Sequence, residues 1–121
     1  MTRQSRDTTT EARTTLYREA LAVMDVRYAD DIQVDDVARE IATSRRQLQR
    51  VFEEVGGTTF REHLARIRMT RAAEMLDSPL AIRDIAYRVG YRQPAQFAKA
   101  FRRVHGVTPS AYRNGARSSR S

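Results

Sequence analysis

The 121-residue chain contains no cysteine and no tryptophan, and it has only three prolines. Without cysteine it can form neither a disulfide nor a thiolate zinc site, and it has no cysteine nucleophile. No run of about 18 apolar residues could span a bilayer, and the polar N-terminal segment lacks the apolar stretch of a secretory signal. We therefore expect a cytoplasmic protein, without a membrane partner, whose stability depends on packing.

Positive charge is in excess, and the excess is confined to one part of the chain. Residues 1–44 hold six arginines against nine acidic residues, whereas residues 45–121 hold fifteen arginines and one lysine against six acidic residues. This gives the second segment a balance of +10 within a formal net charge of +7 for the chain. Such a segment favours a polyanionic partner, most commonly nucleic acid. The alternative is a solvated basic surface.

Apolar residues recur at helical spacing almost throughout, and strand-like alternation is scarce. The pattern predicts an all-α fold of about seven helices. Gly56-Gly57 and Ser78-Pro79 are expected to end the third and fourth helices, and Pro94 and Pro109 to begin the sixth and seventh.

Comparison of the chain with itself reveals an internal repeat. Residues 37–42 match residues 85–90 at an offset of 48, and residues 48–59 match residues 97–108 at an offset of 49. Each copy has a short helix, a turn and a second helix, which is the order of a helix-turn-helix unit. The predicted domain organisation is a flexible tail (1–9), a first lobe (10–57), a linker helix (58–77), a second lobe (78–113) and a flexible tail (114–121).

Over residues 10–113 the sequence resembles the AraC/XylS family of bacterial transcription regulators, and its length is similar to that of the single-domain members. The matching stretches are Leu48-Gln-Arg-Val-Phe52, Arg68-Met69-x-x-Ala72-x-x-Met75-Leu76, Ile82-x-x-Ile85-Ala86-x-x-Val89-Gly90-Tyr91, and Gly106-Val107-Thr108-Pro109-x-x-Tyr112-Arg113. The resemblance implies that residues 45–55 and 94–104 are recognition helices held by the linker helix. The repeat in turn predicts that these two helices enter successive major grooves on one face of the DNA. Ala81 and Gln93 depart from the family pattern, and both are poor helix caps.

The third helix has an apolar face and a polar face. Leu48, Val51, Phe52 and Val55 are predicted to be core. The opposite face carries candidates for base contacts, because arginine pairs bidentately with guanine and glutamine with adenine. These candidates are Arg46, Gln49 and Arg50, with Gln47 added by the family resemblance. Ser44 and Arg45 are predicted phosphate contacts. The alternative is a set of ordinary solvated residues, in which Ser44 and Gln47 form a capping box.

The sixth helix offers less hydrogen-bonding capacity. Its predicted core face is Phe97, Ala100, Phe101 and Val104. The base-contacting candidates are Ala95, Gln96 and Lys99, and the phosphate-contacting candidates are Arg92, Arg102 and Arg103. Because an alanine methyl can touch a thymine methyl but cannot form a hydrogen bond, we expect this helix to contribute less direct recognition.

Other chemistry is not indicated. His63 and His105 share no ligand spacing, so no metal site is predicted, and the chain has no glycine-rich phosphate loop. There is no set of nucleophile, base and orienting residue, so neither an enzyme nor a cofactor is expected.

The predicted function is that of a transcription regulator, associated with the nucleoid, which binds specific duplex DNA sequences as a monomer. Two alternatives stay open. The chain could be the DNA-binding fragment of a larger ligand-sensing regulator. It could also be an interaction module that docks on RNA polymerase and contacts DNA only in that company.

Overall fold

The computed structural model describes the backbone of residues 2–120 and the side chains of residues 9–115. Within these residues every regular element is a helix, which confirms the all-α prediction. The helices are α1 (Thr2–Arg27), α2 (Val34–Glu40), α3 (Arg45–Val51) with a π-helical turn after it (Phe52–Gly56), α4 (Phe60–Met75), α5 (Ile82–Arg88), α6 (Pro94–His105) and α7 (Pro109–Arg120). The predicted tails, 1–9 and 114–121, fall largely outside the described side chains.

Local capping accounts for several helix starts. At α3 the Ser44 hydroxyl accepts a hydrogen bond from the Gln47 backbone N–H at 3.1 Å. Ala81 and Gln93 are the N-cap residues of α5 and α6 and supply no side-chain hydrogen bond, as the sequence indicates. Pro94 in the first turn of α6 compensates in part, because its fixed φ suits a helix start.

The chain forms two compact units. The first unit comprises α1 and the segment Ile32–His63, and the second comprises Tyr28–Asp31 and the chain from Leu64 onward. In the first unit Met24, Val37, Leu48 and Phe52 are fully buried. Burial of each such side chain stabilises the fold by about 1.5–3 kcal/mol, so a unit of this size can hold its helices together.

The second unit has its own core, formed by Met69, Ile85, Val89, Phe97 and Phe101. The Phe101 ring packs edge-on against the ring of Tyr112, with centroids 5.4 Å apart. Helices α3 and α6, the second helices of the two repeats, therefore each lie on an apolar core of their own unit.

Two arginines of the basic segment form hydrogen bonds to backbone carbonyls within the second unit. Arg68 donates to the carbonyl oxygens of Tyr28 at 2.8 Å and Asp30 at 3.0 Å. Arg113 donates to three carbonyls at the end of α4 and beyond it, those of Leu76 (3.1 Å), Ser78 (3.2 Å) and Leu80 (2.6 Å). Because carbonyls removed from water need hydrogen-bond partners, these guanidinium groups stabilise the fold and have fewer N–H groups left for an anion.

The prediction of a core position is wrong for two residues. Val55 and Val104, which occupy equivalent positions of the repeat, are each 39% exposed. Both lie in the last turn before the chain turns away at Gly57 and Gly106, so less of each unit remains to cover them. Helical periodicity places a residue on a face but does not say where the covering elements end.

Candidate nucleic-acid interface

The two units share one backbone design. Helices α2 and α5 begin 48 residues apart and α3 and α6 begin 49 apart, as the internal repeat predicts. The connecting turn is residues 41–44 in the first unit and 89–93 in the second, so the second turn is one residue longer. An equivalent backbone hydrogen bond closes each turn. The Thr43 N–H donates to the Ala38 carbonyl oxygen at 2.8 Å, and the Tyr91 N–H donates to the Ala86 carbonyl oxygen at 2.9 Å.

The first residue of each turn that follows the helix C-cap adopts positive φ. Ala42 has φ of 59° and Gly90 has φ of 101°. A left-handed residue at this point reverses the chain sharply, which lets the second helix cross the first. Ala42 is the one described non-glycine residue in this conformation.

The repeat continues past the recognition helices. The hydroxyl of Thr59 accepts from Glu62 N–H at 3.1 Å at the start of α4, and that of Thr108 accepts from Ala111 N–H at 3.2 Å in α7. The pairs Phe52–His63 and Phe101–Tyr112 stand at the same two positions, with centroid separations of 6.0 and 5.4 Å. A third helix therefore packs behind each recognition helix.

On α3 the structure brings the predicted site residues together on the solvent side. All five candidates are exposed: Arg45, Arg46, Gln47, Gln49 and Arg50. Two of them face carboxylates. Arg45 Nη1 lies 3.7 Å from an Asp35 oxygen, and Arg50 Nε lies 3.3 Å from Glu54 Oε1. Ser44, at the N-cap, is exposed as well.

On α6 and the turn before it the predicted residues are also exposed: Arg92, Ala95, Gln96, Lys99, Arg102 and Arg103. Ala98, next to Lys99 on α6, is half-buried. In the part of the chain with described side chains, the four basic residues of this set form no ion pair. They present uncompensated positive charge to solvent.

Sequence reasoning missed the carboxylate beside Arg50. Glu54 also accepts a hydrogen bond from Arg13 Nη1 at 2.7 Å, which links α1 to the turn after α3. The spacing of four residues between Arg50 and Glu54 was a usable signal. Nothing in the sequence indicates the contact with Arg13, which lies 41 residues away.

Other kinds of site are not found in the described part of the chain. No group of three or more acidic or histidine side chains there is placed to hold a metal ion. None of the described helices combines the length and apolar character needed to cross a membrane.

Two helix-turn-helix units built on one repeat define a double helix-turn-helix protein. The sequence pattern of a helix-turn-helix domain family matches residues 37–115. The chain belongs to the AraC/XylS family, whose DNA-binding domains have this arrangement.

Individual relatives and solved structures support this family membership. The regulatory protein PocR of Salmonella typhimurium LT2 is 35% identical over 97 residues, which are 79% of this chain and 32% of PocR. The C-terminal domain of AraT, a response regulator from Geobacillus stearothermophilus, has a TM-score of 0.80 at 33% identity, covering 83% of this chain and 84% of that one. The DNA-binding domain of AdpA, solved with a target DNA, has a TM-score of 0.80 at 28% identity, covering 86% and 95%. The chain spans about a third of the length of the curated relatives it matches.

Proposed function

We propose that this protein binds specific sequences of duplex DNA, with α3 and α6 each inserted in a major groove, and thereby regulates transcription. The observation that carries the proposal is the duplicated unit, each copy of which exposes basic or amide side chains along its second helix. An α-helix fits the major groove of B-DNA, where the base edges are distinguishable. The similarity to a DNA-binding domain solved with its target DNA supports the same conclusion.

The side chains divide into two groups by chemistry. Arg46, Gln47, Gln49 and Arg50 on α3 contact bases, together with Ala95, Gln96 and Lys99 on α6. Ser44, Arg45, Arg92, Arg102 and Arg103 contact phosphates and hold the helices in register. The exposure of all of them supports this assignment, since a buried side chain could not reach DNA.

We further propose that one monomer occupies an asymmetric site of about 20 base pairs, because two helices in successive grooves are about 34–36 Å apart. We also propose RNA polymerase as a second partner, contacted at the promoter if the protein activates transcription. Regulation in response to a ligand would belong to any further domain of a longer protein.

Selection of bound duplexes from a random pool, followed by footprinting of the selected site, tests the proposal. We expect an asymmetric motif with two half-sites, and affinity that falls with salt at a log–log slope of about −0.9 per phosphate contacted. A palindromic site occupied only by a dimer would contradict the monomeric arrangement. A flat salt dependence without any selected motif would contradict DNA binding itself.

A further inference from the structure

Glu54 lies between two arginines in the first unit. Its Oε2 accepts from Arg13 Nη1 at 2.7 Å, and its Oε1 lies 3.3 Å from Arg50 Nε. Both carboxylate oxygens are therefore engaged, one with an arginine of α1 and the other with a proposed base-contacting arginine of α3. We infer that Glu54, anchored by Arg13, is a positioning residue that orients Arg50 for its base and so determines part of the sequence preference. The inference rests on the proposed function.

The geometry of the contact leaves Arg50 free to bind. Glu54 engages the Nε atom, so both terminal Nη groups remain available, and a bidentate contact with guanine needs two such donors. The Arg50 side chain is 65% exposed, so the carboxylate holds the guanidinium without covering it. Because a free arginine samples many rotamers, orienting it in advance reduces the entropy lost on binding.

The anchor is what gives Glu54 one orientation. An exposed carboxylate at a spacing of four residues would otherwise share its time between Arg50 and water. Arg13 comes from a different helix and makes a shorter contact, so it holds the carboxylate through the oxygen that does not contact Arg50. The three side chains form a continuous chain from α1 to the candidate DNA-contacting face.

The second unit has no such arrangement. The repeat places Lys99 at the position of Arg50 and Arg103 at the position of Glu54. A basic residue replaces the carboxylate, so nothing at that position can orient Lys99. Positioning is therefore a property of the first unit alone, which agrees with a larger share of base recognition there.

Glu54 should affect affinity and base discrimination in opposite directions, and this makes the inference testable. A carboxylate near the DNA repels phosphates, so Glu54→Gln is expected to leave affinity for random duplex unchanged or raised. Discrimination at one base pair of the first half-site should nevertheless fall by about two- to fivefold, the size of an exposed ion-pair coupling. A side chain with only a structural role would not lower discrimination while sparing affinity.

The experiment selects duplexes with the unaltered protein, Glu54→Gln, Arg13→Gln, the double variant and the control Glu40→Gln. Glu40 forms a matched ion pair in the same unit, with Arg27 at 2.8 Å and similar exposure, but contacts no proposed DNA residue. We expect Arg13→Gln to relax the same base pair as Glu54→Gln, the double variant to match Glu54→Gln, and Glu40→Gln to keep the full motif.

The outcomes separate this inference from the proposed function. Absence of any motif with the unaltered protein would overturn both. A clear motif that Glu54→Gln retains at every base pair would overturn the positioning role alone. Additive effects of the Arg13 and Glu54 substitutions would also overturn it, because the anchor would then act by another route. Circular dichroism verifies that each variant folds, and Arg13→Gln provides a second substitution if Glu54→Gln does not.

Discussion

The two helix-turn-helix units share a backbone design and differ in whether their basic side chains are paired with carboxylates. In the first unit Arg45 and Arg50 face carboxylates at 3.7 and 3.3 Å. In the second, none of the basic candidates forms an ion pair within the described part of the chain. Glu54 orients Arg50 and partly neutralises its charge, whereas no described carboxylate orients or neutralises the basic candidates of the second unit. The repeat thus determines the position of a side chain on its helix. The presence or absence of a neighbouring carboxylate determines whether a basic side chain there is oriented and its charge partly neutralised.

The units also differ behind their recognition helices. Gly56 in the first unit is equivalent to His105 in the second. A Cβ built on Gly56 would lie 2.5 Å from the Tyr17 hydroxyl oxygen and 2.7 Å from the nearest ring carbons, so the glycine admits an aromatic side chain from α1. His105 instead fills its own space, 4.4 Å from the Phe101 ring, and its Nε2 lies 3.0 Å from the Met69 carbonyl oxygen. The same position is small in one unit and large in the other because different helices pack against it.

The largest effect is expected from Gly90→Ala. A Cβ there would stand 3.1 Å from both the Ala29 carbonyl oxygen and the Arg68 guanidinium, at a φ that alanine rarely adopts. We expect a loss of about 2–3 kcal/mol in the free energy of unfolding, measured by urea denaturation. Gly106→Asn is the control, because φ is positive there as well but the space is open. Equal losses for the two would show that crowding at Gly90 is unimportant.

The comparison of base recognition is tested by Arg50→Ala and Lys99→Ala. We expect Arg50→Ala to reduce discrimination at one base pair by about 1–3 kcal/mol, since it removes a bidentate donor pair. Lys99→Ala should lower affinity with a smaller change of the motif, because an ammonium group that no carboxylate orients discriminates between bases less strongly than a bidentate guanidinium. Quantitative binding to single-base variants of the selected site measures both. A motif concentrated in the α6 half-site, and unaffected by Arg50→Ala, would reverse the assigned division.

A smaller loss is expected from Gly56→Ala. The added methyl group meets the Tyr17 ring, and overpacking of this kind costs about 1–2 kcal/mol. Chemical denaturation of Gly56→Ala, Tyr17→Leu and the double variant provides the measurement. If the ring is the cause, Gly56→Ala should cost less in the Tyr17→Leu background. Strict additivity would indicate that the backbone of the π-helical turn, and not the ring, opposes the methyl group.

The smallest effect is expected from Ala42→Gly, which makes the first turn like the second. Glycine relieves the left-handed strain at φ of 59° but adds freedom to the unfolded chain. The two terms nearly cancel, so we expect stability to rise by less than about 1 kcal/mol. Thermal unfolding measures the sign. A clear loss of stability would mean that the Ala42 methyl group makes a contact that outweighs its strain.

Much of the fold follows from local signals that stand in the sequence. Pro94 begins α6 as predicted, because a proline suits the first turn, and Gly106 takes positive φ at the C-cap of the same helix. Phe97 and Phe101 are buried as their helical spacing requires. The candidate site on α3 follows equally, since the residues opposite a buried face of a surface helix are exposed.

What the sequence by itself determined is the double helix-turn-helix fold and the identity of the exposed basic and amide side chains. Both depend on periodicity and on the spacing of short motifs, which are properties of neighbouring residues. Only the tertiary structure decided which arginines have guanidinium groups free to contact DNA. Arg68 and Arg113 serve backbone carbonyls 33 to 40 residues away, and Arg13 reaches Glu54 across 41 residues. Contacts between residues distant in sequence form when helices pack, and composition counts every arginine alike.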